Sequence, residues 1–319
     1  LKLKRKFTIG SRGSQLALWQ TDFVKTELEK RFPKAAFDVL IIKTTGDVML
    51  NTALSKIGDK GLFTKQIETA LLNNQIDLAV HSLKDLPTTQ PNKLRISAVT
   101  ARELPNDVFI SKNFQSIQDL PPNAKVATGS LRRKSQLLHF RPDLEVIEIR
   151  GNVPTRIEKF LTSELDGLIL AFAGVYRLRL DSHIKQIIPT EILLPAVGQG
   201  AMAVEIREDD SEIAEMLAEI NDQSTEFCIT AERAFLRSLE GGCQVPIGGF
   251  AVLNENEIFL EGFVGSLTGA KIIRHSIRGN KLEAKHLGET LAEICLQRGA
   301  AEILDEARKA SEKSVSEVV

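Results

Sequence analysis

The chain has 319 residues, of which 43% are hydrophobic and 26% charged, and its formal net charge is −1. That length accommodates two or three soluble domains, and no apolar run reaches the roughly 20 residues of a membrane helix. With so little net charge, an anionic partner must be met by locally placed cations rather than by the field of the whole protein.

The start, Leu1-Lys2-Leu3-Lys4-Arg5-Lys6, is basic and lacks the apolar segment of a secretory signal. It also lacks an initiator Met, as a processed or trimmed chain would. Lys6 to Gly10 reads as a short strand, and Ser14 opens an amphipathic helix reaching about Phe32. Phe37 to Ile42 is a nearly continuous apolar strand, the kind buried on both faces of a parallel sheet. Gly46 to Phe63, with three glycines and mixed polarity, is a long connection and a candidate lid. A helix from Thr64 to Asn74 and a strand from Ile76 to Val80 follow, and then His81-Ser82-Leu83-Lys84-Asp85-Leu86-Pro87.

Leu94 to Val99 and Asp107 to Ser111 read as strands leading out of this first unit. A second unit begins with strand Lys125 to Ala127 and the turn Thr128-Gly129-Ser130. Its helix spans Leu131 to Phe140, followed by strand Leu144 to Ile149, helix Val153 to Leu161 and strand Gly167 to Ala171. The strand–turn–helix at Phe7 to Leu16 is echoed at Val126 to Leu137, with Ser14-Gln15-Leu16 matching Ser135-Gln136-Leu137. Ala201 to Ile206 is a strand that returns to the first unit, and helices over Ser211 to Ile220 and Thr225 to Leu239 come next. Strands at Phe250 to Leu253, Ile258 to Val264 and Ile272 to Ile277 are antiparallel, and two helices over Leu282 to Arg298 and Ala300 to Ala310 close the chain. Alternating strands and helices predict an α/β fold of two doubly wound lobes, followed by a third, smaller α+β domain. The expected partition is 1–100 plus 198–220, 101–197, and 221–319.

Three cysteines without a C-x-x-C pair point away from a disulfide framework or a zinc knuckle. The five histidines show no metal-ligand spacing, so no metal is expected. Cys228 and Cys295 fall inside helical apolar patterns, where a free cysteine is a small buried hydrophobe. Cys243 is different. It sits in Glu240-Gly241-Gly242-Cys243-Gln244-Val245-Pro246, a glycine-rich loop that leaves the sulfur uncrowded. An ordinary turn residue and a working thiol are equally good readings at this point.

Arg132, Arg133, Arg141, Arg150, Arg156, Arg177 and Arg179 crowd the second unit. Several follow strand ends, where open α/β sheets bind ligands and helix N-termini favour anions. Guanidinium suits a bidentate grip on carboxylates, with Thr128 and Ser130 as added hydroxyl donors. A solvated helix face, partly neutralised by Glu145, Glu148 and Glu158, is the competing reading. Asp85, after a strand, suits general acid–base work or stabilisation of a developing cation, with Lys84 beside it for an anionic group. A turn-forming aspartate near a proline is the commoner fate of such a residue. Neither a Walker loop nor G-x-G-x-x-G occurs, which disfavours nucleotide chemistry.

Seven stretches together, in order, resemble the porphobilinogen deaminase family. They are Ser14-Gln15-Leu16-Ala17-Leu18-Trp19-Gln20, Gly58-Asp59-Lys60-Gly61-Leu62-Phe63, His81 to Pro87, Gly129-Ser130-Leu131-Arg132-Arg133, Arg150-Gly151-Asn152-Val153, Leu194 to Gly200 and Glu240-Gly241-Gly242-Cys243. The resemblance implies two periplasmic-binding-protein-like lobes and a third domain bearing the cysteine. It implies a dipyrromethane cofactor joined to Cys243 by a thioether, and four porphobilinogen units added one by one with loss of ammonia. Water then releases the linear tetrapyrrole. Cysteine fits the anchor because its thiolate is far easier to form than an alkoxide.

By the same resemblance Asp85 contacts pyrrole nitrogens, helps protonate the leaving amine and stabilises the cationic azafulvene. Lys84, Thr128, Ser130, Arg132, Arg133 and Arg150 hold the cofactor; Arg12, Ser14, Phe63, Arg150, Arg156, Arg177 and Gln199 serve the substrate. The implied setting is a cytoplasmic monomer, with neither nucleic acid nor membrane as partner. Gly129 stands where a hydroxyl residue is frequent in the family, and Thr45 where an arginine is often seen. Two other classes compete with this reading. A two-lobed binding protein that performs no chemistry normally carries a secretion signal and has no use for an approachable thiol. A thiol-dependent acyl or redox enzyme needs a histidine poised at Cys243 or a second, resolving cysteine.

Overall fold

A computed structural model describes residues 6–48, 61–239 and 245–316. From the N-terminus its elements are β1 (Lys6–Ser11), α1 (Gln15–Arg31), β2 (Ala36–Ile41), α2 (Thr45–Val48), α3 (Lys65–Leu72), β3 (Leu78–Ser82), β4 (Leu94–Val99) and β5 (Asp107–Ile110). Next come β6 (Lys125–Ala127), α4 (Leu131–Phe140), β7 (Glu145–Ile147), α5 (Val153–Leu161), β8 (Gly167–Ala171), α6 (Phe172–Arg177) and β9 (Ile184–Ile187). The remainder is β10 (Met202–Arg207), α7 (Ser211–Ala218), α8 (Gln223–Ser238), β11 (Ile247–Asn254), β12 (Glu257–Gly265), β13 (Ile272–Asn280), α9 (Ala284–Gln297) and α10 (Ala300–Ser316).

Local chemistry explains where helices begin. The Ser14 side chain accepts from the Ala17 N–H at the start of α1, and Ser130 accepts from Arg133 at the start of α4. Asn152 does the same for α5, with Pro154 in the first turn where its missing N–H costs nothing. Lys30 and Arg31 end α1 and complement its dipole.

The chain divides into two compact units. Among the described residues the first holds 6–48, 61–103 and 201–226, and the second 104–200, 227–239 and 245–316. The first unit has a five-stranded sheet in the order β2-β1-β3-β10-β4. β1 runs parallel to β2 and β3, and β10 is antiparallel to both its neighbours. Phe7, Ile9, Leu78 and Val80 pack with α1 and α7 on one face, while Ala79 packs with Ile67 and Leu71 of α3 on the other. Helices on both faces make this sheet doubly wound.

The second unit repeats the design in the order β7-β6-β8-β5-β9, with β5 as the inserted antiparallel strand. Successive residues of β8 serve opposite cores: Ile169 meets Leu137 of α4, and Leu168 and Leu170 meet Phe160 of α5. The sequence echo therefore falls on β1–α1 and β6–α4, which hold the same place in the two sheets. The serines that correspond are the N-caps Ser14 and Ser130; Ser135 is a buried residue inside α4. The second unit also carries an antiparallel sheet, β11-β12-β13, whose core joins Leu260 and Val264 to Phe235, Leu291 and Cys295.

Gly288 of α9 lies against α8. A methyl group there would collide with the Ala231 carbonyl oxygen and come within 2.7 Å of the Phe235 nitrogen. Backbone cannot yield as a side chain end can, so Gly288→Ala should cost ~1–3 kcal/mol in denaturant unfolding. A loss below ~0.5 kcal/mol would show that the helices separate freely.

Three expectations are corrected. β2 is an edge strand: Val39, Leu40 and Ile41 are 38%, 42% and 56% exposed, and only Phe37 is buried, stacked on Phe7 at 5.3 Å. An apolar run specifies a strand but not its place in the sheet, which the pairing of β1 on one side decides. β3 starts and ends two residues later than expected, so Asp85 closes a separate 3₁₀ turn, Leu83–Asp85. α6 and β9 were not anticipated; both are short, and β9 alternates half-buried and exposed residues at a sheet edge. Most of the candidate lid, 49–60, lies outside the described residues.

Candidate active site

The carboxyl ends of the adjacent parallel strands β1 and β3 gather one group of expected residues. Arg12 and Ser14 follow β1; Lys84 and Asp85 follow β3. Arg12 Nη2 donates to Asp47 Oδ1 at 2.5 Å, and its guanidinium stands 4.1 Å from the centroid of the Phe63 ring. Burial pushes the Asp47 carboxyl up, but hydrogen bonds from Arg12 and Thr44 outweigh it and hold the group below its ordinary range. Arg12 and Phe63 are thus brought together by a cation–π contact. Thr45, in place of the family's frequent arginine, accepts a hydrogen bond from Gln66 Nε2 at 2.6 Å.

The turn carrying Asp85 is held at its root. Ser82 and Gln20 of α1 exchange hydrogen bonds at 2.9 and 3.0 Å. The Leu83 N–H donates to the Ala201 carbonyl and the Leu86 N–H to the Leu83 carbonyl, both at 3.1 Å. Lys84 is half-buried. Asp85 is exposed, and its carboxylate pairs with none of the described residues.

The second group lies at the carboxyl ends of β6, β7 and β8. Thr128 and Ser130 follow β6, and the Thr128 hydroxyl accepts from the Ser130 N–H at 3.3 Å. Arg150 follows β7 and is paired with Glu148 at 2.7 Å, as the sequence allowed. Arg156 Nε donates to the Gly151 carbonyl at 2.6 Å, and the buried Arg177 donates to the Gly200 carbonyl at 2.7 Å. Arg141 is structural: it pairs with Asp143 and donates to the Ile117 and Leu120 carbonyls.

Arg132 and Arg133, in the first turn of α4, are not on a solvated face. Both are buried and share one carboxylate, with Nη2 groups 2.8 Å from the two oxygens of Asp107. Gln199 Nε2 donates to the same aspartate at 2.8 Å and to the Pro105 carbonyl at 2.6 Å. Burial alone would raise the Asp107 carboxyl, yet the two guanidinium groups bring it down to about 2. Burial lowers the Arg132 pKa, with Asp107 pulling the other way. Nothing singled out Asp107 in the sequence, although an aspartate opening a wholly buried strand is a signal of a charged partner.

Two guanidiniums and one carboxylate leave a net positive charge among these three buried side chains. The Nε–H of each arginine is buried with no hydrogen-bond partner among the described residues. Excess positive charge with undonated N–H groups can attract an anion. The segment that follows Cys243 is anchored at the same place. The Gly249 N–H donates to the Pro195 carbonyl at 3.0 Å. A Cβ on Gly248 would lie 3.1 Å from the Leu194 and Pro195 oxygens and 3.4 Å from Arg132 Cδ. A side chain there would have to push these neighbours back by a few tenths of an ångström. Cys243 and the rest of 240–244 lie outside the described residues. Cys228 and Cys295 are buried as expected, and burial pushes the Cys295 thiol up to about 11.

Two family models match the chain. The model described as porphobilinogen deaminase, dipyromethane cofactor binding domain, covers residues 7–215, and that of the porphobilinogen deaminase C-terminal domain covers 226–297. The porphobilinogen deaminase of Chlorobium phaeobacteroides (strain BS1) is 51% identical over 311 residues, 96% of this chain and 99% of its own. That of Chlorobaculum parvum is 52% identical over 310 residues, with the same coverage. Among solved structures, a putative methionine-binding lipoprotein from Bacillus subtilis aligns with 69% of this chain and 91% of its own, at 11% identity and a TM-score of 0.43.

Proposed function

The chain belongs to the porphobilinogen deaminase family, and we propose that the two groups of residues at the strand ends carry that family's reaction. The enzyme is a hydroxymethylbilane synthase of tetrapyrrole biosynthesis: it joins four porphobilinogen molecules head to tail on a dipyrromethane, releases ammonia at each joining and frees the product with water. The match of the family models across nearly the whole chain is the observation that carries this reading.

When bound, the dipyrromethane supplies the pyrrole carbon to which the first substrate is joined, and Cys243 would hold it by a thioether. Arg132 and Arg133, already short of one negative charge, would take its carboxylates, with Lys84, Thr128, Ser130 and Arg150 as further donors. Asp85 is the catalytic residue. Its acid form gives a proton to the leaving amine as the carbon–nitrogen bond breaks. Its carboxylate then faces the positive charge left on the substrate and takes the proton released as the carbon–carbon bond forms. Exposure suits this cycle, because a carboxylate that pairs with none of the described residues can bind and release a proton without breaking an ion pair among them.

Each porphobilinogen brings an acetate and a propionate, which Arg12, Ser14, Arg156 and Arg177 would grip while Phe63 packs on the pyrrole ring. Arg12 must then share itself between Asp47 and the substrate. Gln199 acts through Asp107, which it holds in place for the arginine pair. The reading keeps a thiol-bearing third domain at 221–319 in addition to lobes at 1–100 plus 198–220 and 101–197, each with one of the three sheets among the described residues. No described helix is long and apolar enough to cross a membrane, and we place the enzyme in the cytoplasm as a monomer.

Intact-protein mass spectrometry tests the anchor. Freshly purified wild type should weigh more than its sequence, and Cys243→Ser should lose the excess. Porphobilinogen should then raise the wild-type mass in discrete steps. A mass equal to the sequence value, with no steps on adding substrate, would remove the assignment.

A further inference from the structure

Beneath the Asp85 turn, the first unit buries three ionisable side chains that the reaction does not use. His81 is 6% exposed, Glu68 8% and Glu205 0%. They come from three elements: β3, α3 and β10. Ala79 and His81 lie on one face of β3, and their partners across the ladder are Glu205 and Ala203 of β10. The same face receives Ile67 and Leu71 of α3, the helix that holds Glu68 in its first turn. His81 Nε2 is 3.3 Å from Glu205 Oε2. None of His81 Nε2, Glu68 Oε1 or either Glu205 oxygen has a hydrogen-bond partner among the described residues.

An apolar trio of similar volume would be at least as stable in such a place, because each buried polar atom without a partner costs ~1–3 kcal/mol. The groups therefore need a reason beyond stability. Their positions supply it. His81 is the last buried residue before Ser82, and Asp85 lies four residues further on. Glu68 stands one turn beyond Thr64, and Phe63 precedes that N-cap. The three side chains thus join the root of the catalytic turn to the root of the segment that presents Phe63.

We infer that His81, held between Glu205 and Glu68, is a positioning residue that sets Asp85 relative to Phe63 and Arg12. The His81 ring and the Glu205 carboxylate approach to 3.3 Å where the end of β3 lies beside β10, just before the chain leaves the sheet. Glu68 completes the set from the helix side. Burial pushes the Glu68 carboxyl up and the charge of Glu205 adds to the rise, while Thr64 and His81 pull the other way without cancelling it. Among other charged groups of this part of the first unit, Arg207, two residues from Glu205 on the same face of β10, is tied to Asp77 and Asp210, Arg12, just after β1, is tied to Asp47, and Lys84 and Asp85 lie in the turn beyond Ser82.

The inference rests on the assignment of Asp85 above, and the test separates the two. His81→Leu, His81→Gln, Glu205→Leu and Glu205→Gln are compared with Asp85→Asn in the full-length, cofactor-loaded protein. Displacing a catalytic group by an ångström costs up to ~10²-fold in rate. His81→Leu and Glu205→Leu should therefore lose ~10-fold or more in kcat, with KM within about twofold and the attached cofactor mass unchanged. Glu205→Gln, which keeps an oxygen facing His81, should retain most of kcat. Wild-type kcat in both leucine variants overturns the inference. So does a loss of kcat that merely follows a loss of bound cofactor or of folded protein. If the leucine variants do not fold, His81→Gln decides by the same split between kcat and KM. Normal turnover in Asp85→Asn sinks the assignment of Asp85 instead, whatever His81 does.

Discussion

Asp85→Asn is expected to purify as a folded protein with its cofactor attached and to turn over ~10²–10⁴-fold more slowly than wild type. The two halves of that result have separate causes. Asp85 is exposed and pairs with none of the described residues, so its replacement by an isosteric amide should change stability by less than ~0.5 kcal/mol. Asparagine can neither carry a proton to the amine nor offer a negative charge to the cation that forms. Steady-state kcat and the thermal midpoint, measured on one preparation, read the two effects independently. Turnover within a few-fold of wild type would take Asp85 out of the chemistry. A large fall in the midpoint would recast it as a structural turn residue, the commoner role for an aspartate near a proline.

Asp107→Asn should do the reverse and strike stability hardest. It leaves two guanidiniums, 5% and 6% exposed, without their shared counter-charge, and breaking a buried pair this way costs ~3–5 kcal/mol. Acid should approach the same limit in the wild type. The folded-state pKa of Asp107 is about 2, below its ordinary 3.8. A depressed carboxyl stabilises the fold above the unfolded pKa, and that contribution disappears as pH falls through the folded one. The window is therefore between about pH 4 and pH 2, and the shift of nearly two units corresponds to ~2 kcal/mol. Denaturant unfolding across that window should show the wild type losing this increment and Asp107→Asn lacking it. Equal acid sensitivity in the two proteins would mean that other carboxylates dominate.

Both predictions bear on how far a sequence can be read. Asp85 was legible because it belongs to a contiguous motif, His81 to Pro87, that presents its chemistry within seven residues. Asp107 was not, because its partners are 25 and 26 residues away and its meaning depends on burial. The arginine pair was legible only in part. Its place after a strand and a glycine turn was evident, but the choice between solvated face and interior needed the packing of α4 on Asp107, Leu194 and Ile169.

By itself the sequence determined what local forces determine. Ser14, Ser130 and Asn152 start helices because their side chains satisfy the first free N–H groups, and those effects act within three residues. Alternation and apolar runs located most strands, and the helical settings of Cys228 and Cys295 foretold their burial. Tertiary structure alone decided which strand lies beside which. β10 enters between β3 and β4, and β5 between β8 and β9, through pairings of residues up to 128 positions apart. Strand order also leaves β2 at an edge, paired with β1 alone, with Val39, Leu40 and Ile41 exposed, and the insertion of β10 brings Glu205 to His81. Hydrogen bonds of the ladder are the same for any sequence; only the fit of whole faces against their helices selects the order, and that fit is a property of the folded chain.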